Sequence, residues 1–350
     1  MAKLSNQVRV GVLGASGYTG ADLVRLLIAH PEASIALMTA ERHAGKPMDA
    51  VFPHLGGYGL PDLIPVGDAD WNHCDVVVCG LPHGTTQEII ASLPSSVKVV
   101  DMSADFRLRD TDTYAQWYGH AHRAPELQTD AVYGLTEHYR KQIKKARLTA
   151  CPGCYPTAAL LLLIPLVSGN LIDADDIVID AKSGASGAGR GLKEAMLFGE
   201  VAEGLHPYGI ASHRHAPEIE QELSVAAGHD ILINFTPHLI PMNRGELLTT
   251  YVRLANGATA ADLRVALAER YADEPFVRVV SEGVVPATRH VRGSNHCLLG
   301  VFEDRIPGRA ILISTLDNLV KGSSGQAIQN MNLMFGFPET TGLEQVPMFP

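Results

Sequence analysis

Residues 8–29, VRVGVLGASGYTGADLVRLLIA, decide the fold. The first six, Val8 to Leu13, are a short apolar run that reads as a buried strand. From Ala21 to Ala29 the apolar residues recur at helical spacing, and the pattern stops before Pro31. Between the two lies the glycine-rich turn Gly14-Ala15-Ser16-Gly17-Tyr18-Thr19-Gly20. Glycine tolerates positive φ and lets a backbone approach a pyrophosphate closely, and the following helix start offers unpaired N–H groups and a favourable dipole. Strand, turn and helix in this order predict a nucleotide site, although the spacing is GxxGxxG rather than GxGxxG. The bland alternative is a turn that only packs a helix on a strand.

Working outward, Ser34 to Thr39, Asp75 to Cys79 and Val97 to Met102 are further short strands, and Thr85 to Leu93 is helical. Strands alternating with helices predict a parallel sheet with helices on both faces. After about Ala150 the texture changes. The strand candidates Asp176–Ala181, Ile231–Phe235, Leu247–Leu254, Phe276–Val280, Cys297–Phe302 and Ala310–Leu316 follow one another with turn signals between, interrupted by a helix over Thr259–Tyr271. That half reads as α+β with a mostly antiparallel sheet. A last helical segment runs from Asn318 to Phe335.

The whole-chain arithmetic bounds the function. The 350 residues suggest two domains. A net charge of −10 and pI near 5.8 give no reason to expect nucleic acid as a partner. The apolar run Ala158–Val167 is too short to span a bilayer and holds Pro165. Met1 to Val8 is short and polar, unlike a signal peptide. Five cysteines, an odd number, make no disulfide framework. A cytoplasmic enzyme is expected.

Five motifs carry the chemistry. After the second strand comes Thr39-Ala40-Glu41-Arg42-His43-Ala44-Gly45-Lys46. Arg42 and Lys46, with the Thr39 hydroxyl, suit the 2′-phosphate of NADP, whereas Glu41 is the sign of NAD. The second is Pro152-Gly153-Cys154-Tyr155-Pro156-Thr157, where Cys154 just before a helix sits at the dipole's positive end, which favours thiolate. Cys154 is the candidate nucleophile and Cys151 a core thiol. The C-x-x-C pair also admits a thiol–disulfide oxidoreductase, while no matching pair supports zinc. Third, Ser183-Gly184-Ala185-Ser186-Gly187-Ala188-Gly189-Arg190 is a flexible, hydroxyl-rich loop fit for phosphate or cofactor. Fourth, His206-Pro207-Tyr208 and His213-Arg214-His215 supply a base for a Cys nucleophile, with Arg214 and Arg190 for an anionic substrate. Fifth, Asp101-Met102-Ser103-Ala104-Asp105-Phe106-Arg107 follows a predicted parallel strand, where open sheets place ligands; Ser103 and Arg107 suit a phosphate, or form an ordinary salt-bridged loop.

In this order the blocks GASGYTG, LPHG (Leu81–Gly84), DMSADFR, YGLTE (Tyr133–Glu137), PGCYPT, SGASGAGR, HRHAPEI (His213–Ile219), FTPHLIPMNRG (Phe235–Gly245) and DNLVKG (Asp317–Gly322) resemble the N-acetyl-gamma-glutamyl-phosphate reductases, relatives of aspartate-semialdehyde dehydrogenase. The resemblance implies a Rossmann-like domain over 1–153 and 319–350, to which the last helix returns, and an α+β catalytic and oligomerisation domain over 154–318. It implies NADP(H), a homodimer or homotetramer, an acyl-phosphate substrate and inorganic phosphate, with neither metal nor membrane. By motif, Cys154 is the nucleophile and His213 the acid/base. Gly14, Ser16, Gly17, Tyr18, Thr19, Gly20, Thr39, Arg42, Pro82, His83, Ser183, Ser186, Gly187 and Asn318 face the cofactor; Ser103, Arg107, Arg190 and Arg214 face the substrate. An aminoadipyl phosphate, one methylene longer, is the alternative substrate; a non-catalytic NADP-binding sensor is the bland reading.

Overall fold

A computed structural model describes residues 7–350. Of the stretch on which the leader-peptide expectation rests, Met1 to Val8, the first six residues lie outside the described residues. The chain divides into two compact units, Met1–Pro152 with Ser323–Glu344, and Gly153–Gly322 with Gln345–Pro350.

The first unit opens with β1 (Val8–Leu13), α1 (Tyr18–Ile28) and β2 (Ala33–Thr39), as the sequence predicts. There follow β3 (Leu63–Ile64), β4 (Val76–Cys79), α2 (Gln87–Ser92), β5 (Lys98–Asp101), α3 (Thr111–Tyr118), α4 (Pro125–Asp130), β6 (Val132–Tyr133), α5 (Thr136–Ile143) and β7 (Leu148–Ala150). The sheet order is β3-β2-β1-β4-β5-β7-β6, and every pairing is parallel. Such strands are buried on both faces, which explains why β1 and β4 are near-continuous apolar runs. β1 lies between β2 and β4, so the strand order reverses beside it and a crevice opens at the carboxyl ends.

The second unit is built on α6 (Cys154–Ser168). Its greasy run is a core helix: Leu160, Leu161, Leu162 and Leu163 are all fully buried. Each contributes roughly 1.5–3 kcal/mol of burial. α6 packs across β8 (Ile172–Gly184), against α8 (Ala216–Ala227), and on β11 (Glu246–Leu254), α9 (Ala260–Arg270) and β14 (Arg309–Leu316). The remaining elements are the one-turn α7 (Phe198–Val201), β9 (His206–Pro207), β10 (Asn234–Ile240), β12 (Val277–Val279) and β13 (Cys297–Glu303). The sheet order is β12-β13-β14-β11-β8-β10-β9. Two pairings, β8 with β10 and β12 with β13, are parallel, and the rest are antiparallel. The fold is α/β with a parallel and a mixed sheet, as the sequence reading expects.

Three local readings are corrected. The strand expected over 231–235 starts only at Asn234. Side chains of α8 take the earlier donors: Ile231 N–H bonds Ser224 Oγ at 2.9 Å, and Ile233 N–H bonds Glu220 Oε1 at 3.2 Å. The 183–190 segment is not wholly loop. β8 runs to Gly184, and Ala185 and Ser186 N–H groups bond the Met242 and Asn243 carbonyls at 2.8 and 3.2 Å. The last segment begins with a π turn, Val320–Ser324, before α10 (Gly325–Phe335). α10 packs in the first unit against α1, α5 and β5.

Candidate active site

Two places converge the sequence-predicted residues, one in each unit. In the first, Gly14 has φ +88° and its backbone abuts Gly80 and Leu81 at the end of β4. Gly17 caps α1 with no side-chain hydrogen bond, and the first turn of α1 holds no acidic residue. The unpaired N–H groups there suit a pyrophosphate. The glycines have separable jobs. A Cβ at Gly20 would lie 2.4 Å from the Gly14 carbonyl oxygen and 2.8 Å from Ala15 Cα, whereas at Gly17 it would meet only the Gly14 oxygen at 3.7 Å. Gly20 holds helix to strand; Gly17 keeps the surface of the turn low. We therefore expect Gly20→Ala to destabilise the protein by roughly 1–3 kcal/mol in urea titration. Gly17→Ala should shift stability by about 0.5 kcal/mol at most while raising the NADPH dissociation constant tenfold or more. Equal effects on stability would refute the division.

Around the 2′-phosphate region, Glu41 is occupied: its Oε1 accepts the Val66 N–H at 2.9 Å. Arg42 and Lys46 are exposed, so this end favours NADP over NAD. Thr39 is fully buried, and its hydroxyl accepts the Gly14 N–H at 3.2 Å, so it supports the turn. Pro82 and His83 are exposed on the neighbouring loop.

Ser103 and Arg107 do not present free heads. Ser103 Oγ donates to Asp101 at 2.8 Å, and Arg107 donates to the Cys151 and Met102 carbonyls at 2.8 and 3.0 Å. Burial raises the Asp101 carboxyl to about 7, opposed by the Ser103 bonds. This motif is a buried brace within the first unit. Cys151 is fully buried, with the Asn330 amide on its sulfur at 3.5 Å.

In the second unit, Cys154 is the first residue of α6, partly exposed, after the N-cap Gly153. No side chain caps that terminus, so the thiol sits where the dipole favours its anion. The Gly153 N–H is held by Glu218 Oε1 at 2.9 Å, and the His215 ring covers Gly153, since a Cβ there would fall 2.3 Å from Nε2. His213 stacks edge-on among Tyr155, Tyr208, His215 and Phe235, with centroids 4.7–5.8 Å away. The Tyr155 and Tyr208 hydroxyls meet at 3.1 Å. Burial, aided by the nearby Arg214 charge, pushes His213 down to about 4. Its Nδ1 accepts the His215 N–H at 3.1 Å, so the neutral ring carries its proton on Nε2. That tautomer donates a hydrogen bond and does not accept one from a thiol.

Asn318 Nδ2 donates to Ser186 Oγ at 2.9 Å, its Oδ1 accepts the Gly245 N–H at 2.8 Å, and Ser186 Oγ donates to the Asn243 carbonyl at 2.6 Å. Ser183 is buried, and Gly187 backs onto it. Arg190 is exposed. Sequence reasoning missed Glu218, although it lies in HRHAPEI, and also Glu246. A lone acid opening a strand reads as a surface residue, yet Glu246 is wholly buried and faces Cys154.

Residues 9–146 match the semialdehyde dehydrogenase NAD binding domain, and residues 154–318 match its dimerisation domain. A protein of Rhodospirillum rubrum named N-acetyl-gamma-glutamyl-phosphate reductase is 59% identical, across 99% of this chain and 100% of its own. The chain belongs to the N-acetyl-gamma-glutamyl-phosphate reductase family. A rice relative, described as the probable chloroplastic reductase, is 60% identical over 99% of this chain and 84% of its own length. The solved aspartate semialdehyde dehydrogenase II of Vibrio cholerae shares the fold, with TM-score 0.72 at 16% identity, covering 95% of this chain and 99% of its own. Family membership makes the chain an oxidoreductase and gives no support to the aminoadipyl or disulfide readings. No helix among the described residues is long and apolar enough to cross a membrane.

Proposed function

We propose that this chain reduces N-acetyl-gamma-glutamyl phosphate to N-acetylglutamate 5-semialdehyde with release of phosphate, through a thioester on Cys154. The observation that carries this is the partly exposed Cys154 at an uncapped helix start, in a family of reductases. The Cys154 sulfur bonds the acyl carbon, and the carbon–oxygen bond to phosphate breaks with its electron pair on phosphate. NADPH, when bound, supplies the hydride that reduces the acyl carbon. The His213 Nε2–H hydrogen-bonds the oxyanion, which re-forms the carbonyl as the carbon–sulfur bond breaks with its electron pair on sulfur and the aldehyde leaves. Sulfur donates weakly to a carbonyl, which leaves the thioester carbon open to hydride.

The turn from Gly14 to Gly20, including Ser16, Tyr18 and Thr19, would hold the pyrophosphate. Arg42 with Lys46 would hold the 2′-phosphate, with Pro82 and His83 alongside. The roles of Ser183, Ser186, Gly187 and Asn318 toward the cofactor rest on motif resemblance. Arg214, which acts on His213, is the best supported of the substrate arginines. We assign residues 1–153 and 319–350 to cofactor binding and residues 154–318 to catalysis and self-association. The exposed Leu192, Leu197, Phe198 and Leu205 support a homodimer or homotetramer; the cytoplasm is the compartment we propose.

The test is the reverse reaction. Phosphate-dependent reduction of NADP should proceed with N-acetylglutamate semialdehyde about 10–200-fold more efficiently than with the homologue one methylene longer. Preference for the longer aldehyde, or a rate independent of phosphate, would overturn the assignment.

A further inference from the structure

Glu246 has no part in the reaction as described so far. It opens β11, is 0% exposed, and apart from the Cys154 side chain its carboxyl oxygens have no hydrogen-bond partner among the described residues. A buried acid left so is costly unless it serves something. Its strand neighbours in register are Ser183 of β8 and Leu316 of β14, neither of them charged. Leu316 also lies against Gly322, where a Cβ would come 2.7 Å from the Cys154 Cβ. α6 crosses β8, β11 and β14 and so brings the nucleophile to this carboxyl. The titratable groups in its field are Cys154, Tyr155 and Tyr208; Arg214 acts on His213 beside them.

We propose that Glu246 and Cys154 form a proton-sharing pair, in which the Glu246 carboxylate takes the thiol proton as sulfur attacks and returns it as sulfur leaves. This inference rests on the thioester reading above. Two observations favour Glu246 over His213 for the task. The His213 ring, with Nδ1 occupied by the His215 N–H, offers an N–H and not a lone pair. Burial raises Glu246 to about 8, with the Cys154 side chain pulling the other way. A carboxyl at that value can both take and return a proton near neutral pH. Burial pushes Tyr155 and Tyr208 up, so both stay neutral while the pair titrates.

The step balances. The S–H bond breaks, its electron pair stays on sulfur, and the proton goes to a Glu246 oxygen. Sulfur then bonds the acyl carbon, and phosphate departs, taking its proton from water. When the hemithioacetal oxyanion collapses to the aldehyde, the electron pair of the carbon–sulfur bond returns to sulfur, and Glu246 gives the proton back.

The test uses the full-length enzyme with iodoacetamide as the thiol probe from pH 5 to 10. It adds the phosphate-dependent oxidation of N-acetylglutamate semialdehyde, with NADP binding and the urea midpoint as measures of an intact fold. Wild-type alkylation should rise in two steps, as coupled groups do. In Glu246→Gln it should rise in one step. That variant should lose roughly 10²–10⁴ in kcat/KM with NADP affinity unchanged. Glu246→Ala should regain at least tenfold with sodium formate and nothing with sodium chloride. Glu246→Gln activity within threefold of wild type, or no formate rescue in a folded Glu246→Ala, would overturn the pair. If both variants lose NADP binding, the wild-type alkylation decides: a single step at the ordinary thiol value overturns the pair, and two steps support it. A wild-type enzyme inactive on the aldehyde would instead sink the reductase reading and leave the alkylation result standing.

Discussion

Cys154→Ala should abolish reduction, with turnover falling roughly 10⁴–10⁶-fold, and should leave NADPH binding intact. The size of the loss follows from the covalent step, because Cys297, the other cysteine of the second unit, is fully buried. Cys151 cannot substitute, being fully buried with an amide on its sulfur. Binding survives because the glycine turn, Arg42 and Lys46 belong to the other unit. The side chain removed is small and partly exposed, so the fold should tolerate its loss. Single-turnover kinetics with the acyl phosphate, plus mass spectrometry of trapped enzyme, would check both halves. The wild type should show an acyl adduct on the Cys154 peptide; turnover by the alanine variant within tenfold of wild type would refute the thioester.

His213→Asn should lower kcat by roughly 10²–10⁴-fold, with the fold retained. Here the pH dependence discriminates. A ring held down to about 4 is neutral throughout the working range and acts as an Nε2–H donor. The loss in the variant should therefore be the same from pH 6 to 8. A wild-type rise in rate between pH 6 and 7 that the variant lacks would mean that His213 titrates as a base. Stability supplies a second readout. The folded ring binds fewer protons than the unfolded one between its ordinary 6.5 and about 4, so its contribution is lost as pH falls through that window. The variant should consequently lose less stability than the wild type on acidification from pH 6.5 to 4, read as a difference in urea midpoints.

Much of the fold is legible in residues 8–29, because a parallel strand, a glycine turn and an amphipathic helix each leave a local pattern. The helix over Thr259–Tyr271 was legible for the same reason: its Thr259–Asp262 capping box is present in the structure. Three candidate ligand binders turn inward for one reason. Thr39, Ser103 and Arg107 carry the chemistry of ligand binders, but their polar atoms are spent on Gly14, Asp101 and two carbonyls. Which partner a polar side chain finds is a tertiary matter that residue type cannot report. Glu246 is the converse case. Nothing in NRGELL marks it as buried, because its environment is made by α6, β8 and β14, which are distant in sequence. Helix α8 was missed although Pro217 near its start and Gly228 after its end are ordinary signals; attention to the histidines hid them.

The return of α10 to the first unit has a consequence for biosynthesis. Gln326 and Asn330 donate to the Gly134 carbonyl, Thr136 donates to Asn330, and Gln329 donates to Glu137. A nascent chain that has emerged only as far as Pro152 lacks all of these partners. At roughly 5–20 residues per second, the ribosome needs on the order of ten seconds to deliver Gly153–Gly322 before the helix that completes the earlier lobe. During that interval the nucleotide lobe stands without its closing helix.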